Sequence, residues 1–286
     1  MLTLAFASGK APTPETDRKG NEWRDDRGDV IARTFSCAGL YWIVWPSLGV
    51  FVFSADSREV RVWAEPHAQR RTVVDTFRRM IKPVVLQALS WQVLHAGATI
   101  GPSGVIAFCG GSGAGKSTLA FAMQQAGWQQ FADDNLLLRL DGDFVMACPL
   151  PFTPRLRPPS RAHFADLRDP LPSSLRRPLS DTPLAAIFVL QQNAGLANPR
   201  VSLMPQARAF SELLPYAHCF DAEDRAHTCR LVKDYLAVAS RVRAFWLEYP
   251  PKFQSLRQLI NSVTEATKTT NPDSVTSEPQ QLPLVQ

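Results

Sequence analysis

Residues 105–117 read Val-Ile-Ala-Phe-Cys-Gly-Gly-Ser-Gly-Ala-Gly-Lys-Ser, and this stretch decides the fold class. Its first five residues are an apolar run bounded by Gly104 and Gly110, which is typical of a short buried strand. Residues 116–126 are good helix formers and stop before Gly127, a favoured residue just beyond a helix C-terminus. The sequence therefore predicts a strand, a glycine-rich turn and the N-terminus of a helix.

The glycine loop, residues 110–117, carries the G-x-x-x-x-G-K-S pattern of a Walker A phosphate-binding motif. Glycines let backbone N–H groups approach phosphate oxygens without a clash, and a helix N-terminus adds partial positive charge. We expect Lys116 to bridge the β- and γ-phosphates of ATP and Ser117 to place its hydroxyl on Mg²⁺. The predicted nucleotide-binding residues are Gly110, Gly111, Ser112, Gly113, Ala114, Gly115, Lys116, Ser117 and Thr118.

Two adjacent carboxylates, Asp133 and Asp134, follow the predicted strand 130–132. A phosphoryl-transfer site needs one carboxylate to hold Mg²⁺ or its waters, and a kinase gains from another that accepts the proton of the acceptor hydroxyl. Like-charge repulsion can raise the pKa of one carboxyl group while the metal keeps the other ionised. The alternative interpretation is a solvated turn or a helix N-cap. The position of the pair at a strand end, soon after the glycine loop, favours the catalytic interpretation.

Three further side chains, those of His95, Arg155 and Arg157, are candidates for the site. His95 lies in the predicted strand 91–99, where a histidine is most often a packed, hydrogen-bonded core residue. Arg155 and Arg157 lie in the proline- and arginine-rich stretch 149–183, which is interpreted as an extended excursion rather than a packed element. Guanidinium groups there would bind phosphate or an acidic acceptor. The alternative is a solvated basic loop.

The remaining pattern divides the chain into a β-rich N-terminal module (1–82), a second domain (83–266) and a tail (267–286) whose composition predicts disorder. Helical periodicity over 72–82 ends at Pro83, which is expected to break the helix. A hairpin is predicted around Asp141-Gly142. The other predicted strands are 40–45, 50–54, 60–64, 184–191, 201–203 and 243–249, and the other predicted helices are 84–90, 205–215, 222–240 and 252–265.

Composition narrows the class of protein. The net charge of +5, from 31 basic and 26 acidic residues, suits phosphate-bearing or acidic ligands but does not require nucleic acid. The five cysteines are scattered and form no C-x-x-C pair, which favours reduced thiols in a cytoplasmic protein. No apolar stretch is long enough for a transmembrane helix, and the N-terminus does not match a signal peptide. We expect no nucleic-acid or membrane partner, and a homo-oligomer is compatible with the sequence.

The spacing of three segments resembles the catalytic domain of HPr kinase/phosphorylase. These segments are Leu94-His95-Ala96-Gly97-Ala98, the glycine loop, and Ala132-Asp133-Asp134-Asn135, and the resemblance covers residues 90–140. Residues 83–98 also resemble the smaller stand-alone relatives, some of which phosphorylate a serine at the C-terminus of lasso-peptide precursors.

The resemblance implies an α/β fold with a P-loop kinase core of the HPr-kinase and phosphoenolpyruvate-carboxykinase type. It implies that Asp133 acts as base and later acid, that Asp134 helps to place the metal or Lys116, and that His95 lines the phosphate site. The predicted function is a Mg²⁺- and ATP-dependent kinase for a serine of a peptide or small protein. Two alternatives stay open at this point, a small-molecule kinase on the same core and a non-catalytic ATP-sensing module.

Overall fold

The computed structural model of the protein describes residues 2–14, 21–24, 27–152, 154–165, 179–220 and 224–268. These residues form a mixed α/β fold with two β-sheets, so the predicted α/β class is confirmed. No helix in these parts of the chain combines the length and the apolar character needed to cross a bilayer.

The first sheet belongs to the N-terminal part of the chain. Its strand order is β1-β6-β5-β4-β3-β2, with β1 parallel to β6 and the other neighbours antiparallel. Apolar side chains of alternate residues, such as Val60 and Val62, point to one buried face. The strands are β1 (Thr3–Phe6), β2 (Asn21–Arg24), β3 (Val30–Cys37), β4 (Leu40–Trp45), β5 (Gly49–Ser54) and β6 (Glu59–Ala64).

One helical segment covers that buried face. Helix α1 (Arg70–Thr76) continues through a π-helical turn at Phe77–Ile81 into α2 (Lys82–Ala88). The expected helix break at Pro83 is wrong. The wider turn places Pro83 at the start of α2, where the missing N–H of proline is tolerated. The expected division between residues 82 and 83 therefore falls inside a continuous helical segment.

The second sheet has nine strands. Along its main path the order is β10-β8-β9-β13-β12-β11-β7, and β15 adds to β13 and carries β14 at its outer edge. The strands β9, β13 and β15 are parallel to one another. The strands are β7 (Gln92–Leu94), β8 (Ala96–Gly101), β9 (Gly104–Cys109), β10 (Gln129–Ala132), β11 (Leu136–Asp141), β12 (Phe144–Cys148), β13 (Thr182–Gln192), β14 (Arg200–Leu203) and β15 (Arg243–Tyr249).

Helices pack on both faces of this sheet. Ile106 and Phe108 of β9 face α3 (Lys116–Gln125) and α7 (Leu256–Lys268), whereas Val105 and Ala107 face α5 (Gln206–Leu213) and α6 (Arg225–Arg241). Because both faces are covered, β9 is apolar at nearly every position rather than alternating. Helix α7 runs through Lys268 with Thr267 buried, so the first two residues of the predicted tail belong to this helix. Residues 269–286 lie outside the described part.

The excursion 149–183 is only partly described. Within it, α4 (Pro158–His163) forms with Ser160 buried, and the Phe164 ring packs against Phe121 of α3 at an interplanar angle of 51°. The interpretation of this stretch as lacking packed elements is therefore wrong for residues 158–164. Two prolines at the start of α4 favour this short helix because proline fits the first helical turn.

The two sheets are joined by a residue from the loop before α6. Phe220 packs against Tyr41 and Phe53 of the first sheet, and its carbonyl accepts hydrogen bonds from Thr34 Oγ1 (3.1 Å) and Asn21 Nδ2 (3.3 Å). The Phe220 ring is buried, so the contact between the modules has both an apolar and a polar component.

Candidate functional site

The glycine loop connects β9 to α3 as the sequence predicts. Gly113 and Gly115 have φ values of +85° and +89°, which side-chain-bearing residues rarely adopt. A Cβ atom on Gly115 would also lie 2.8 Å from the Tyr249 hydroxyl oxygen. The loop therefore requires glycine at position 115 for two independent reasons.

The ends of two further parallel strands, β13 next to β9 and β15 next to β13, form hydrogen bonds with the loop. Gln192 at the end of β13 donates from Nε2 to the Gly113 carbonyl at 3.1 Å, and the Tyr249 hydroxyl at the end of β15 donates to the Ala114 carbonyl. Sequence reasoning missed both residues. The available signal was that the carboxyl ends of adjacent parallel strands meet at one edge of a sheet, where ligands bind.

Lys116 begins α3 and is buried, with 8 % of its surface exposed. Its Nζ donates to the carbonyls of Gly110 at 2.7 Å and Gly111 at 3.3 Å. Burial lowers the pKa of the Lys116 ammonium group, while the nearby carboxylates of Asp134 and Asp133 oppose that shift. Among the described residues, the hydrogen-bond acceptors of this buried ammonium group are thus carbonyl oxygens of the loop.

Asp133 lies directly beside the first turn of α3. Ser117 Oγ donates to Asp133 Oδ1 at 2.8 Å, and the backbone N–H of Arg155 donates to Asp133 Oδ2 at 2.9 Å. Burial raises the pKa of the Asp133 carboxyl group, and these two hydrogen bonds counteract the rise because they stabilise the carboxylate. The structure therefore brings the predicted Ser117 and Asp133 together.

Asp134 follows in a left-handed conformation, with φ of +68°. Asn135 after it donates from Nδ2 to the Arg79 carbonyl at 3.0 Å, which ties this turn to the π-helical turn of the N-terminal module. The carboxylate of Asp134 raises the pKa of Lys116, so the two side chains are close enough to interact electrostatically. The two predicted carboxylates thus flank the glycine loop at one end of the sheet.

His95 does not lie inside a strand, and this part of the sequence prediction is wrong. The predicted strand 91–99 is two strands, β7 and β8, which pair with different neighbours, and His95 occupies the break between them. Its backbone N–H donates to the Tyr216 carbonyl at 2.6 Å. Burial, followed by the charge of Lys116, lowers the pKa of the His95 ring. His95 therefore belongs to the same site as Lys116.

His218 stands beside His95, with ring centroids 6.3 Å apart at an interplanar angle of 82°. Its Nε2 is buried without a hydrogen-bond partner in the described residues. Burial, followed by the proximity of His95, lowers the pKa of His218 to about 4. The sequence held no local signal for this pair, because the two residues are distant in the chain and only the tertiary fold joins them.

The two candidate arginines go to different places. Arg157 Nη2 donates to Ser112 Oγ of the glycine loop at 2.7 Å, and a Cβ on Gly113 would lie 3.5 Å from Arg157 Nη1. The exposed Arg155 side chain lines a groove next to Asp133. The hydroxyl groups of Thr118 and Ser160 are hydrogen-bonded at 2.7 Å, so α4 is anchored to α3 next to Arg157.

This groove, called the inter-module groove, has a volume of about 1140 Å³. One wall comes from the N-terminal module, including Phe6, Trp23 and the π-helical turn. The other end contains the candidate site residues His95, Asp133, Asp134, Arg155 and His218. The groove therefore leads from the surface of the first sheet to the predicted base.

The oxygen atoms of Ser117, Asp133 and Asp134 are hard ligands of the kind that Mg²⁺ prefers, and Mg²⁺ at phosphate sites is held by few protein ligands. Among the described residues, no group of three or more His, Cys, Asp or Glu side chains is arranged around a common point as a metal site. The residues present fit a Mg²⁺ ion shared with phosphate oxygens.

The likeness of this chain to known proteins is found among solved structures. No family model matches the chain, and no curated protein matches it. Among solved structures, the chain is similar to the HPr(Ser) kinase/phosphatase from Coxiella burnetii at 13 % sequence identity, with 63 % of this chain and 99 % of that chain covered and a TM-score of 0.35. A likeness at this TM-score does not support a shared activity.

Proposed function

We propose that the protein is a Mg²⁺- and ATP-dependent kinase that transfers the γ-phosphate of ATP to a serine hydroxyl of a peptide or small protein. The observation that carries this proposal is the hydrogen bond between Ser117 and Asp133, 2.8 Å long, directly beside the buried Lys116. A buried cation, a hydroxyl and a carboxylate at the N-terminus of a helix after a glycine loop suit phosphoryl transfer.

The glycine loop supplies the nucleotide end of the proposed site. Lys116 exchanges its bonds to the Gly110 and Gly111 carbonyls for bonds to the β- and γ-phosphate oxygens, which satisfy the buried ammonium group better. We assign Arg157 to the same phosphates because its guanidinium group already reaches Ser112 of the loop. Both cations stabilise the negative charge that develops on the transferred group.

Ser117 and Asp134 are the residues proposed to hold Mg²⁺, with Asp133 behind Ser117. When bound, Mg²⁺ supplies positive charge to the phosphate oxygens during transfer. The Ser117 hydroxyl can donate a hydrogen bond to Asp133 while its oxygen lone pairs face the ion, which is consistent with the observed hydrogen bond from Ser117 Oγ to Asp133 Oδ1.

Asp133 is the proposed general base. Burial raises the pKa of this carboxyl group, which makes it a better proton acceptor than an exposed aspartate. The acceptor serine gives its proton to Asp133 as its oxygen attacks the γ-phosphorus, and the bond from the γ-phosphorus to the bridging oxygen of ADP breaks. The acceptor hydroxyl replaces the Arg155 N–H at Oδ2 of Asp133, a residue that lines the inter-module groove.

A long groove favours a peptide over a small molecule as acceptor. The inter-module groove extends from Asp133 to Trp23 and Phe6 of the first sheet, well beyond the size of one small substrate. The C-terminal serine of a lasso-peptide precursor is the specific acceptor that the sequence resemblance implies, and it stays a prediction. The small-molecule kinase and the ATP-sensing module remain alternatives that turnover measurements separate.

The test is transfer from labelled ATP with Mg²⁺ to the products of neighbouring genes, for wild type and Asp133→Asn. We expect Asp133→Asn to bind ATP normally and to lose transfer by roughly 10²-fold or more, the scale of a lost general base. The matched control is Asp143→Asn, an exposed carboxylate in the hairpin turn. If Asp133→Asn instead weakens Mg²⁺-dependent ATP binding and transfers normally at saturating ATP, the roles of Asp133 and Asp134 are exchanged. ATP binding without any acceptor-dependent turnover would favour the sensing module.

A further inference from the structure

The inter-module groove carries an excess of positive charge that the nucleotide end of the site does not use. Its basic lining residues are Arg24, Arg70, Arg78, Arg79, Lys82 and Arg155, and its acidic lining residues are Asp75, Asp133 and Asp134. Arg24 is paired with Glu22, and Arg70 stacks over the Phe6 ring at 3.8 Å. Arg78, Arg79 and Lys82 form no ion pair with any carboxylate of the described residues.

Lys82 is buried, whereas Arg78 and Arg79 are exposed. Only 9 % of the Lys82 surface is exposed, yet no side chain of the described residues neutralises it. Burial, followed by the charge of Arg78, lowers the pKa of its ammonium group. A buried cation without a carboxylate partner is costly, and an incoming anion would offset that cost.

The three cations lie at a fixed place relative to the proposed base. They occupy the π-helical turn and the first residue of α2, and the Arg79 carbonyl accepts a hydrogen bond from Asn135 of the turn that carries Asp133. An anion bound to this cluster would therefore sit next to a hydroxyl positioned at Asp133.

The groove also has apolar lining next to the cations. Met80 lies among them in the chain with 42 % of its surface exposed, and Leu150 and Phe152 line the same groove. Alternating apolar and cationic groups match an extended peptide with acidic side chains around an apolar residue, because carboxylates pair with guanidinium groups while the apolar side chain covers Met80.

We propose that the inter-module groove docks an acidic peptide segment of the acceptor, whose Asp or Glu side chains bind Arg78, Arg79 and Lys82 and thereby place the adjacent serine at Asp133. This proposal rests on the proposed kinase function for the serine, but the docking itself does not require transfer. It makes acidic residues beside the serine the specificity determinant of the enzyme.

The test measures peptide binding by fluorescence anisotropy in the absence of ATP. Two peptides with blocked ends are compared, each with a single serine and an apolar neighbour. The acidic peptide carries Asp and Glu at the positions where the neutral peptide carries Asn and Gln, and the two sequences are otherwise identical. We expect the acidic peptide to bind wild type about tenfold more tightly at low salt, since two to three exposed ion pairs supply that much. Added salt should remove the difference.

The variant Arg78→Gln with Arg79→Gln should lose most of the preference for the acidic peptide, and Lys82→Met should reduce it. The matched control, Arg241→Gln with Arg257→Gln, removes the same charge from exposed positions away from the groove and should keep it. A charge-reversal variant separates loss of charge from loss of folding. Arg78→Glu with Arg79→Glu should prefer a peptide with Lys in place of the acidic residues, which an unfolded variant would not do.

Several outcomes would overturn the docking proposal. These are equal binding of both peptides to wild type, an unchanged preference in the arginine variants, or restoration of binding by a free C-terminal carboxylate alone on the neutral peptide. Inorganic phosphate that displaces the acidic peptide at equal concentration would indicate a small-anion site instead. ATP binding and phosphoryl transfer are measured separately and test the proposed kinase function. If the acidic peptide binds but no transfer occurs, the kinase proposal is contradicted while the docking proposal stands.

Discussion

The guanidinium group of Arg157 donates a hydrogen bond to the hydroxyl of Ser112 at 2.7 Å, which joins the segment after β12 to the glycine loop. Arg155, two residues earlier, contributes its backbone N–H to Asp133, and its side chain faces the inter-module groove. In an extended chain two such residues point the same way, but the observed contacts separate them. The segment thus touches both the nucleotide end and the acceptor end of the proposed site.

This separation predicts different kinetic effects for the two arginines. Arg157→Gln should weaken ATP binding about tenfold or more, because a charge-assisted contact to phosphate is lost. Arg155→Gln should leave ATP binding nearly unchanged and raise the KM for the acceptor. The measurement is steady-state kinetics with ATP and acceptor varied separately. Identical profiles for the two variants would contradict the separation.

Replacing Lys116 should separate stability from function. Lys116→Met removes a buried ammonium group whose hydrogen-bond partners in the described part of the chain are two backbone carbonyls, so we expect an unchanged or higher melting temperature together with loss of ATP binding. Lys233→Met, an exposed position on α6, is the control and should change neither property. Calorimetric titration with ATP and thermal unfolding are the two measurements. Retained ATP affinity in Lys116→Met would remove the basis for assigning the glycine loop to phosphate.

A glycine pair distinguishes backbone strain from steric contact in the loop. Gly115 and Gly127 have similar φ values, +89° and +94°, but a Cβ on Gly127 meets nothing within 4 Å, whereas one on Gly115 meets the Tyr249 hydroxyl. Gly127→Ala should therefore lower the free energy of unfolding by about 1 kcal/mol and leave ATP binding intact.

Gly115→Ala carries the same strain and also displaces Tyr249 from the Ala114 carbonyl, so it should lose ATP binding as well. Unfolding in urea and ATP titration on both variants provide the comparison. If both variants bind ATP like wild type, the loop tolerates the displacement and its geometry is not critical.

Local signals account for the parts of the fold that the sequence predicted. The strand β9, the glycine loop and α3 follow one another in the chain, and each carries its own boundary residues, so short-range reasoning suffices. The same holds for the existence of the β11–β12 hairpin, but its two turn residues are Gly142 and Asp143 rather than the predicted Asp141-Gly142, because Asp141 still pairs with Phe144.

Other features depend on contacts that no local pattern encodes. The break of one expected strand at His95 arises because β7 pairs with β11 while β8 pairs with β9 and β10. The helix passes Pro83 through a π-helical turn because its apolar residues on both sides pack on the first sheet. His95 and His218 lie next to each other because the backbone N–H of His218, in the loop before α6, donates to the Val93 carbonyl of β7.

The burial of His218 beside His95 predicts that the free energy of unfolding falls in acid. The pKa of His218 falls from 6.5 in the unfolded chain to about 4 in the folded protein, because the ring is buried and faces His95. Between these values the unfolded state binds more protons, so stability is complete above the unfolded pKa and is lost as the pH falls towards the folded pKa. The shift corresponds to about 3 kcal/mol for this one residue.

His218→Phe should therefore flatten the fall in the free energy of unfolding between neutral pH and pH about 4, because phenylalanine cannot bind the proton. At neutral pH the variant should be as stable as wild type or more stable, since it replaces a buried Nε2 that has no hydrogen-bond partner among the residues that the structure describes. His95 stays in place, and burial lowers its pKa in the same direction, so some acid dependence will remain. Urea unfolding across this range checks the prediction, with the exposed His67→Gln as control. A His218→Phe curve parallel to that of wild type would show that protonation of His218 does not limit stability in acid.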